Sequence, residues 1–413
     1  MKTALPHIFS VLILSLSGIS SCNAFKFNNR GEFTILQFTD FHYGEDDIKD
    51  AKTQALQRKI LDLVKPDLAV VSGDAVGGYA GYIFYLFTNH GFFKKCWEKF
   101  TTPFVETKTP YAFTLGNHDA EADLDASQIV KLDKTNPFSV LRTAEGIEGT
   151  ANYRIPIYSS KNQSHLAANI WMFDTGNIGC FGQDDSWGCI EEEQIAWYNS
   201  QSESIKKEYG NNVHHIAFYH IPIPEYIKVS DEQKIYGISK DGVGCPTHNT
   251  GFFDHIVKNG DISGMFVGHD HNNDLGGWYK NVEFVYGRKS GYGSYGSIFG
   301  ARVIKLKEVT INGKTFLKRT HYVIQEDLSI VTTKFINYRK GAKQFQCFPV
   351  NEHPFLLLRA TGFFDYIGIL LALMIIVGSI ILLSKVVFCK SVHREEKPET
   401  LASAQNQEMI KCY

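Results

Sequence analysis

The chain has 413 residues, of which 44% are hydrophobic and 21% charged, and its formal net charge at pH 7 is -2. Charges of both signs are interspersed, which argues against an extended nucleic-acid footprint, so we expect no nucleic-acid partner. The length allows one large domain with a sizeable core.

The first segment has the pattern of a secretory signal peptide. Lys2 precedes an apolar run over residues 8–19, and small residues follow up to Ala24. This order predicts a signal peptide over residues 1–24 that is cleaved after Ala24. A transmembrane anchor is the alternative interpretation, but the run is shorter than the roughly 20 residues that a bilayer core requires.

Short apolar runs rich in β-branched and aromatic residues follow, and they predict buried strands. The runs cover residues 34–38, 68–71, 111–115, 170–173, 215–219 and 265–267. Helical patterns lie between several of them, over residues 48–64 and 191–209. Alternating strands and helices predict a layered α/β domain with a largely buried sheet.

Five of these runs lead into polar clusters rich in metal-binding residue types. The clusters are Asp40-Phe41-His42, Gly73-Asp74, Gly116-Asn117-His118-Asp119, His220 and Gly268-His269-Asp270-His271. In open α/β sheets, sites form where several loops converge at the C-terminal edge of the strands. A lone histidine is usually structural, whereas five such clusters together predict a metal site.

The cysteine residues and one glycosylation sequon give information about the cellular compartment of the domain. Five of the eight cysteines lie between the signal peptide and the membrane segment described next: Cys96, Cys180, Cys189, Cys245 and Cys347. Cys180 and Cys189 bracket a short loop and are the best candidates for a disulfide, with two free buried thiols as the alternative. Asn162-Gln163-Ser164 is an N-glycosylation sequon, usable only in a secreted chain.

A nearly unbroken apolar stretch over residues 366–388 has the length of one bilayer-spanning helix. A buried helix of a soluble core is the alternative, but such helices are rarely apolar on all sides. Lys385, Lys390 and Arg394 lie at or after its end, which places the tail 389–413 in the cytoplasm. The chain is thus expected to be a single-pass type I membrane protein, with a lumenal or extracellular domain over residues 25–340 and a linker over 341–365.

The five clusters resemble the motifs of the calcineurin-like metallophosphoesterase superfamily, which run D-x-H, G-D, G-N-H-D/E, H and G-H-x-H. All five occur in that order between Asp40 and His271. The resemblance implies a β-sandwich of two mixed sheets flanked by helices. The stretches 173–176, 220–226, 268–274 and 291–296 further resemble the purple-acid-phosphatase-like branch.

The resemblance also implies roles for individual residues. It assigns Asp40, His42 and His271 to a first metal ion, Asn117, His220 and His269 to a second, and Asp74 to a bridge between them. Imidazole and carboxylate suit two ions such as Fe, Zn or Mn, divalent or mixed-valence. His118 would act as general acid.

The implied reaction is hydrolysis of a phosphoric ester by metal-bound hydroxide, without a covalent intermediate. The leading expectation is a phosphomonoesterase acting on a phosphorylated small molecule or a phosphoprotein. A phosphodiesterase with the same metal set, and a catalytically silent anchored domain that binds a phosphorylated ligand, are the alternatives.

Gly77 departs from the family pattern. Purple acid phosphatases carry a tyrosine metal ligand at this position, so the colour of an iron-tyrosinate pair is expected to be absent here. Protein serine/threonine phosphatases place an aspartate there to support the acid histidine. Either Asp119 or another group must therefore orient His118, or catalysis is weaker.

Other polar residues carry weaker expectations. Arg288 and Lys289 could contact a phosphate, with a solvated basic loop as the alternative. Asp174 is expected to form a turn, with a side chain that lines the pocket as the alternative. Asp270 and Asp274 either support the ligand histidines or cap a loop.

Overall fold

A computed structural model of the protein describes residues 24–85, 91–232, 235–312, 314–332, 335–336, 346–348, 350 and 374–377. The chain divides into two units, Met1–Val350 and Asn351–Tyr413. The predicted signal peptide apart from Ala24, most of the predicted linker and the whole predicted tail lie outside the described residues.

The predicted membrane span is described only at residues 374–377, which are helical. Within the described parts of the chain, no helix is both long enough and apolar enough to cross a membrane. The span over residues 366–388 therefore stays a prediction.

Seventeen strands are present among the described residues. They are β1 Phe25–Lys26, β2 Glu32–Phe38, β3 Leu68–Ser72, β4 Tyr111–Thr114, β5 Tyr153–Tyr158, β6 Leu166–Met172, β7 Ile178–Cys180, β8 Gln183–Trp187, β9 His214–Phe218, β10 Ile235–Tyr236, β11 Ile262–Val267, β12 Gly276–Tyr279, β13 Val282–Tyr286, β14 Gly300–Ile311, β15 Lys314–Gln325, β16 Ile330–Thr332 and β17 Phe335–Ile336. All six predicted strands are found.

The helices of the described residues lie between these strands. They are α1 Asp47–Val64, α2 Gly78–Tyr85, α3 Phe92–Glu106, α4 Ala126–Asp133, α5 Glu192–Tyr209, α6 Val229–Glu232 and α7 Phe252–Asn259. Two short 3-10 helices cover Asp119–Glu121 and Pro224–Lys228. Helices α1 and α5 match the two predicted helices to within one residue at each end.

Fifteen of the strands form two large mixed sheets, and β7 and β8 form a separate two-stranded sheet. One has nine strands in the order β1-β5-β6-β9-β11-β13-β12-β10-β17, and the other has six in the order β16-β15-β14-β2-β3-β4. Strands β6, β9, β11 and β13 run parallel in the first sheet, with antiparallel neighbours on either side. Strands β2, β3 and β4 run parallel in the second sheet, with the antiparallel strand β14 beside β2 and β4 at the edge. The prediction of two mixed sheets flanked by helices is confirmed.

Strand β9 shows how the sequence builds the layers. Ile216 and Phe218 belong to the core that also contains Val303 and Ile304 of the other sheet. Ala217, between them, belongs to a second core that includes side chains of α5 and α7. Because successive side chains point to opposite faces of a strand, a run that is apolar at every position predicts burial on both faces.

A buried polar cluster also joins the two sheets. Glu283 on β13 accepts hydrogen bonds from Arg319 Nη2 at 2.8 Å and from Tyr236 Oη at 2.9 Å. His321 Nε2 lies 3.1 Å from the same carboxylate. Arg319 and His321 both belong to β15, so this charge cluster crosses the apolar layer between the sheets.

Helix α1 begins and ends at signals that the sequence carries. The Asp46 side chain accepts a hydrogen bond from the Lys49 backbone N–H, which caps the N-terminus. The helix ends at Lys65 in the left-handed conformation, immediately before Pro66, which disfavours continuation. Leu56, Ile60 and Leu61 bury one face of the helix.

Candidate metal centre

The predicted metal ligands converge from both sheets. Asp40 and His42 follow β2, Asp74 follows β3, and Asn117 follows β4, all in the six-stranded sheet. His220 follows β9, and His269 and His271 follow β11, in the nine-stranded sheet. All seven side chains are buried.

One group of donors corresponds to the predicted first metal ion. The donor atoms of Asp40, His42, Asp74 and His271 all lie within 4.8 Å of one another. His42 Nε2 is 3.1 Å from His271 Nε2, and His271 Nε2 is 3.4 Å from Asp40 Oδ1. Two buried ring nitrogens that face each other need a proton or a metal ion between them, and a metal ion satisfies both.

The second group lies beside the first. Asn117 Oδ1 is 3.0 Å from His220 Nε2 and 2.9 Å from His269 Nδ1. Asp74 Oδ2 is 3.3 Å from His220 Nε2 and 3.4 Å from His42 Nε2, so one carboxylate oxygen reaches both groups. These donors fit a pair of metal ions bridged by Asp74, because imidazole and carboxylate are the ligands that Zn, Fe and Mn accept.

Electrostatics keep the bridging carboxylate ionised. Burial raises the pKa of Asp74, but the surrounding histidines, His220 foremost, outweigh burial and hold that pKa well below its ordinary value. An ionised Asp74 is the form that binds a cation.

Backbone and tyrosine oxygens orient the ligand histidines. Ser72 O lies 2.8 Å from His220 Nδ1, and Tyr295 O lies 2.8 Å from His271 Nδ1. Tyr79 Oη is 3.3 Å from His42 Nδ1. Such contacts fix the ring orientation and the tautomer of a metal ligand.

Asp270 and Asp274 hold loops and neighbouring side chains. Asp270 accepts from Tyr286 Oη at 2.6 Å and from the Gly244 backbone N–H. Asp274 accepts from Arg288 Nη1 at 2.5 Å and from the Ile238 backbone N–H. Of their two expected roles, holding loops and neighbouring side chains is the one observed.

The backbone is strained at the site. The φ angles of Asp40, His42, Asp74 and His269 are 54°, 51°, 52° and 77°, in the left-handed region that non-glycine residues rarely adopt. Strain of this kind is maintained at functional sites by the surrounding structure. The left-handed backbone conformation turns these side chains, which follow straight strands, toward a common point.

Close packing requires a glycine at position 116 of the third cluster. A Cβ atom there would lie 2.1 Å from Asp74 Oδ1 and 2.3 Å from the Asp74 backbone nitrogen. The loop after β4 therefore approaches Asp74 more closely than a side chain would allow.

His118 is oriented by Glu121 and not by Asp119. His118 Nδ1 lies 2.6 Å from Glu121 Oε2, while the Asp119 carboxylate accepts from the backbone N–H groups of Gly116, Asp74 and Val76. Burial lowers the pKa of His118, but the carboxylates of Glu121 and Asp74 outweigh burial and raise it above its ordinary value. The unassigned supporting group is thus Glu121.

Tyr79 occupies the space beside Gly77. A Cβ at Gly77 would lie 3.3 Å from Tyr79 Oη. The Tyr79 ring packs edge-on against His118, with centroids 4.8 Å apart, and its hydroxyl donates to Glu45. The sequence analysis missed Tyr79 and Glu121, although each lies only two or three residues from a residue it discussed.

Arg288 and Lys289 are buried, so the alternative of a solvated basic loop is wrong. Besides Asp274, Arg288 donates to Phe299 O and Gln325 Oε1, and the guanidinium is thus held by protein acceptors. Lys289 Nζ donates to Asp40 O at 3.0 Å, which places its charge beside the first donor group. Burial lowers the pKa of Lys289 to about 8, so the ammonium persists at neutral pH.

The remaining predicted residues are two cysteines, Asp174 and the glycosylation site. Cys180 and Cys189 form a disulfide, and Cys245 pairs with Cys347 in a second that the sequence analysis did not predict. Asp174 forms the expected turn, accepting from the backbone N–H groups of Thr150 and Gly176. Asn162 is exposed and accepts from the Ser164 backbone N–H.

The fold and this donor set define a class of protein. The family model of the calcineurin-like phosphoesterases matches residues 33–273. The chain belongs to this family, and the match includes every predicted metal ligand.

Several known proteins are similar to this chain. Probable inactive purple acid phosphatase 29 of Arabidopsis thaliana is 28% identical over 318 residues, covering 70% of this chain and 79% of the relative. Phosphatase DCR2 of Saccharomyces cerevisiae is 24% identical over 272 residues, covering 60% of this chain and 45% of the relative. The solved structure of a dimetal phosphatase from Danio rerio covers 74% of this chain and 99% of its own, at 10% identity and a TM-score of 0.46.

Proposed function

We propose that the chain is a two-metal phosphoric ester hydrolase that acts on monoesters of small molecules or phosphoproteins. The observation that carries the proposal is the pairing of His118 with Glu121 next to a complete set of seven donors. A silent binding site needs the metal ligands, whereas a supported acid histidine beside them serves a reaction.

In the proposed reaction, the metal ions and the protein side chains would have different roles. When bound, the two metal ions supply Lewis acidity, which polarises the ester and makes water a better nucleophile at neutral pH. The carboxylates of Asp40 and Asp74 would hold the cations, and the neutral amide of Asn117 would add a ligand without adding negative charge that faces a phosphate.

His118 handles the proton of the leaving group. Because Nδ1 faces the Glu121 carboxylate, that nitrogen carries a proton in the neutral ring. The raised pKa favours a second proton at Nε2, which is the one that can pass to the leaving oxygen. The His118 side chain is 13% exposed, so a substrate can reach it.

A catalytically silent domain that binds phosphorylated ligands is the second candidate function. It is favoured by the names of relatives such as probable inactive purple acid phosphatases 29 and 14 of Arabidopsis thaliana. Both candidates predict metal binding, and only the first predicts turnover.

Hydrolysis by the full chain in detergent separates the two candidates. We expect turnover of p-nitrophenyl phosphate above that of bis(p-nitrophenyl) phosphate after loading with Zn, Mn or Fe. Asp74→Asn should lower it by at least about a hundredfold, since the bridging charge is lost. Asp62→Asn, an exposed aspartate on α1, is the matched control.

Metal content is measured on the same samples, because protein without metal would show no hydrolysis under either candidate function. Wild-type protein that is folded and carries two ions per chain, yet hydrolyses neither ester, would shift the assignment to the silent binding domain.

A further inference from the structure

A cavity beside β10, β15 and β16 is separate from the metal centre. Its volume is about 430 Å³, which lies within the range of small-molecule sites in proteins. Its walls come from β10 and the residues after it, from the end of β15, and from β16. None of the seven predicted metal ligands is among the described residues that line it.

Two buried guanidinium groups, those of Arg288 and Arg302, belong to residues that line this cavity. Arg288 is 5% exposed and forms an ion pair with Asp274 at 2.5 Å. Arg302 is only 1% exposed, and its contacts are of another kind. It donates to Tyr286 O at 2.9 Å, to Asp274 O at 2.6 Å and to His321 Nδ1 at 3.0 Å.

These contacts leave the charge of Arg302 without a counter-charge. Burial lowers the pKa of His321, so its ring is neutral at pH 7. Glu283 forms its ion pair with Arg319, at 2.8 Å. Within the described parts of the chain, Arg302 has no carboxylate at ion-pair distance. Since a buried charge is costly unless it is paired, Arg302 is a candidate to bind an anion.

The sequence that follows β16 contains no group that could neutralise this charge. Residues 333–350 include no aspartate and no glutamate, but they do include Lys334, Arg339, Lys340 and Lys343. An anion that binds from solution could supply the missing negative charge.

The other walls of the cavity are largely apolar. Tyr236 and Val323 are buried there, and Ile238 is half-buried. Ile330 and Val331 of β16 also line the cavity, although they are 58% and 45% exposed. An apolar group that covered these two side chains would remove apolar surface from water, which is favourable.

We propose that this cavity binds a small organic carboxylate, whose charged group contacts Arg302 and whose apolar body packs against Ile330 and Val331. The planar guanidinium matches a carboxylate in geometry. The three contacts of Arg302 use three of its five N–H groups, so two can donate to a ligand. A monoanion also balances the single unpaired positive charge, whereas a dianion would bury a new negative one.

Calorimetric titration of the full chain in phosphatidylcholine nanodiscs tests the proposal, with phenylacetate as the probe. The comparison is 2-phenylethanol, which keeps the ring and replaces the carboxylate with a neutral hydroxymethyl group. Titrations into empty nanodiscs are subtracted. Phenylacetate should bind once per chain, and the Kd of 2-phenylethanol should be at least about tenfold higher, because the charge-assisted hydrogen bonds are lost.

Variants locate the binding site. Val331→Glu places a negative charge at an exposed position of the cavity wall, so it should raise the Kd of phenylacetate roughly tenfold by repulsion. Ile311→Glu makes the same kind of change at an exposed position of β14 and should leave the Kd unchanged. Arg302→Met should abolish binding, and Val331→Glu decides the matter if that variant does not fold.

Equal affinities for the acid and the alcohol would overturn the proposal, because the guanidinium would then have no part in binding. An unchanged Kd in Val331→Glu, or in folded Arg302→Met, would overturn it as well.

A further variant separates this cavity from the metal centre, where a carboxylate could coordinate a bound ion. Asp74→Asn should bind phenylacetate as tightly as the wild-type protein, because the cavity includes no metal ligand. Loss of binding in Asp74→Asn would assign the probe to the metal centre and overturn the proposal. These measurements do not depend on turnover, so the proposed hydrolase function can fail while the carboxylate site stands.

Discussion

His118 and Glu121 form the residue-level unit that distinguishes a reaction site from a binding site. The two are three positions apart, and the short 3-10 helix Asp119–Glu121 between them folds the carboxylate back toward Nδ1. On the proposed hydrolase function, Glu121 would act on the substrate through His118, so it would be a positioning residue. Its contribution should be largest where the leaving group needs a proton.

Glu121→Gln tests this role. Removing the carboxylate charge lowers the pKa of His118, so the acid form is lost at lower pH and the alkaline limb of the kcat profile moves to lower pH. The kcat for an alkyl phosphate should fall by about tenfold or more. The fall should be smaller for p-nitrophenyl phosphate, because p-nitrophenolate leaves without a proton.

Steady-state kinetics over a range of pH provide the measurement, with Glu148→Gln, an exposed glutamate, as the matched control. An equal loss for both esters with an unmoved pH profile would assign Glu121 a purely structural role.

At the residue scale, the motifs predicted which side chains come together but not what supports them. The seven expected metal ligands converge because each motif follows a strand. Asp119 was a candidate to support His118, yet its oxygens are used by backbone N–H groups of neighbouring loops. Those contacts depend on where loops meet in space, which one sequence does not reveal.

At the scale of elements, the cluster around Glu283 is the polar contact that joins β13 to β15. Burial raises the pKa of Glu283, but the hydrogen bond from His321 and the charge of Arg319 outweigh burial and hold the pKa at about 2. A depressed carboxyl pKa stabilises the fold above the ordinary value of 4.5, and that contribution is lost as the pH falls from 4.5 toward 2.

Glu283→Gln should therefore lower the free energy of unfolding at pH 7 by about 3 kcal/mol, because Arg319 is left buried without its partner. The variant should also lose part of the acid dependence between pH 4.5 and 2. Denaturant titrations across this pH range measure both effects, and Glu192→Gln, on the exposed surface of α5, is the control. A parallel pH dependence in the two proteins would contradict the assigned role.

The six predicted strands are short apolar runs that are almost entirely buried, and five of them lie inside the sheets while β4 lies at an edge. Strands β14 and β15 were missed because their outer portions alternate lysines with apolar side chains and stay exposed. In α1, the apolar Ala55 is exposed, whereas the polar Gln57 is buried because it bonds to Tyr43 and Phe100.

At the scale of the whole molecule, the two disulfides support the proposed lumenal or extracellular location. Disulfides persist in oxidising compartments and are rare in the cytosol. Cys245 and Cys347 are separated by 102 positions, so their bond closes a long loop across the domain. The single-pass orientation with a cytoplasmic tail remains our proposal.

A glycosidase and protease experiment on microsomes tests that orientation. Glycosidase should increase the gel mobility of the full chain but not of Asn162→Gln, because this sequon is exposed and can be modified only in the lumen. Protease added to intact microsomes should remove only the short C-terminal tail, residues 389–413. Digestion of the domain in sealed vesicles would show the opposite orientation.

The division of the ligands between the two sheets has a further consequence. Asp40, Asp74 and Asn117 come from one sheet, and the histidines after β9 and β11 come from the other, so bound ions would join the two layers of the sandwich. The ligand set would be complete only after the chain has been synthesised beyond His271.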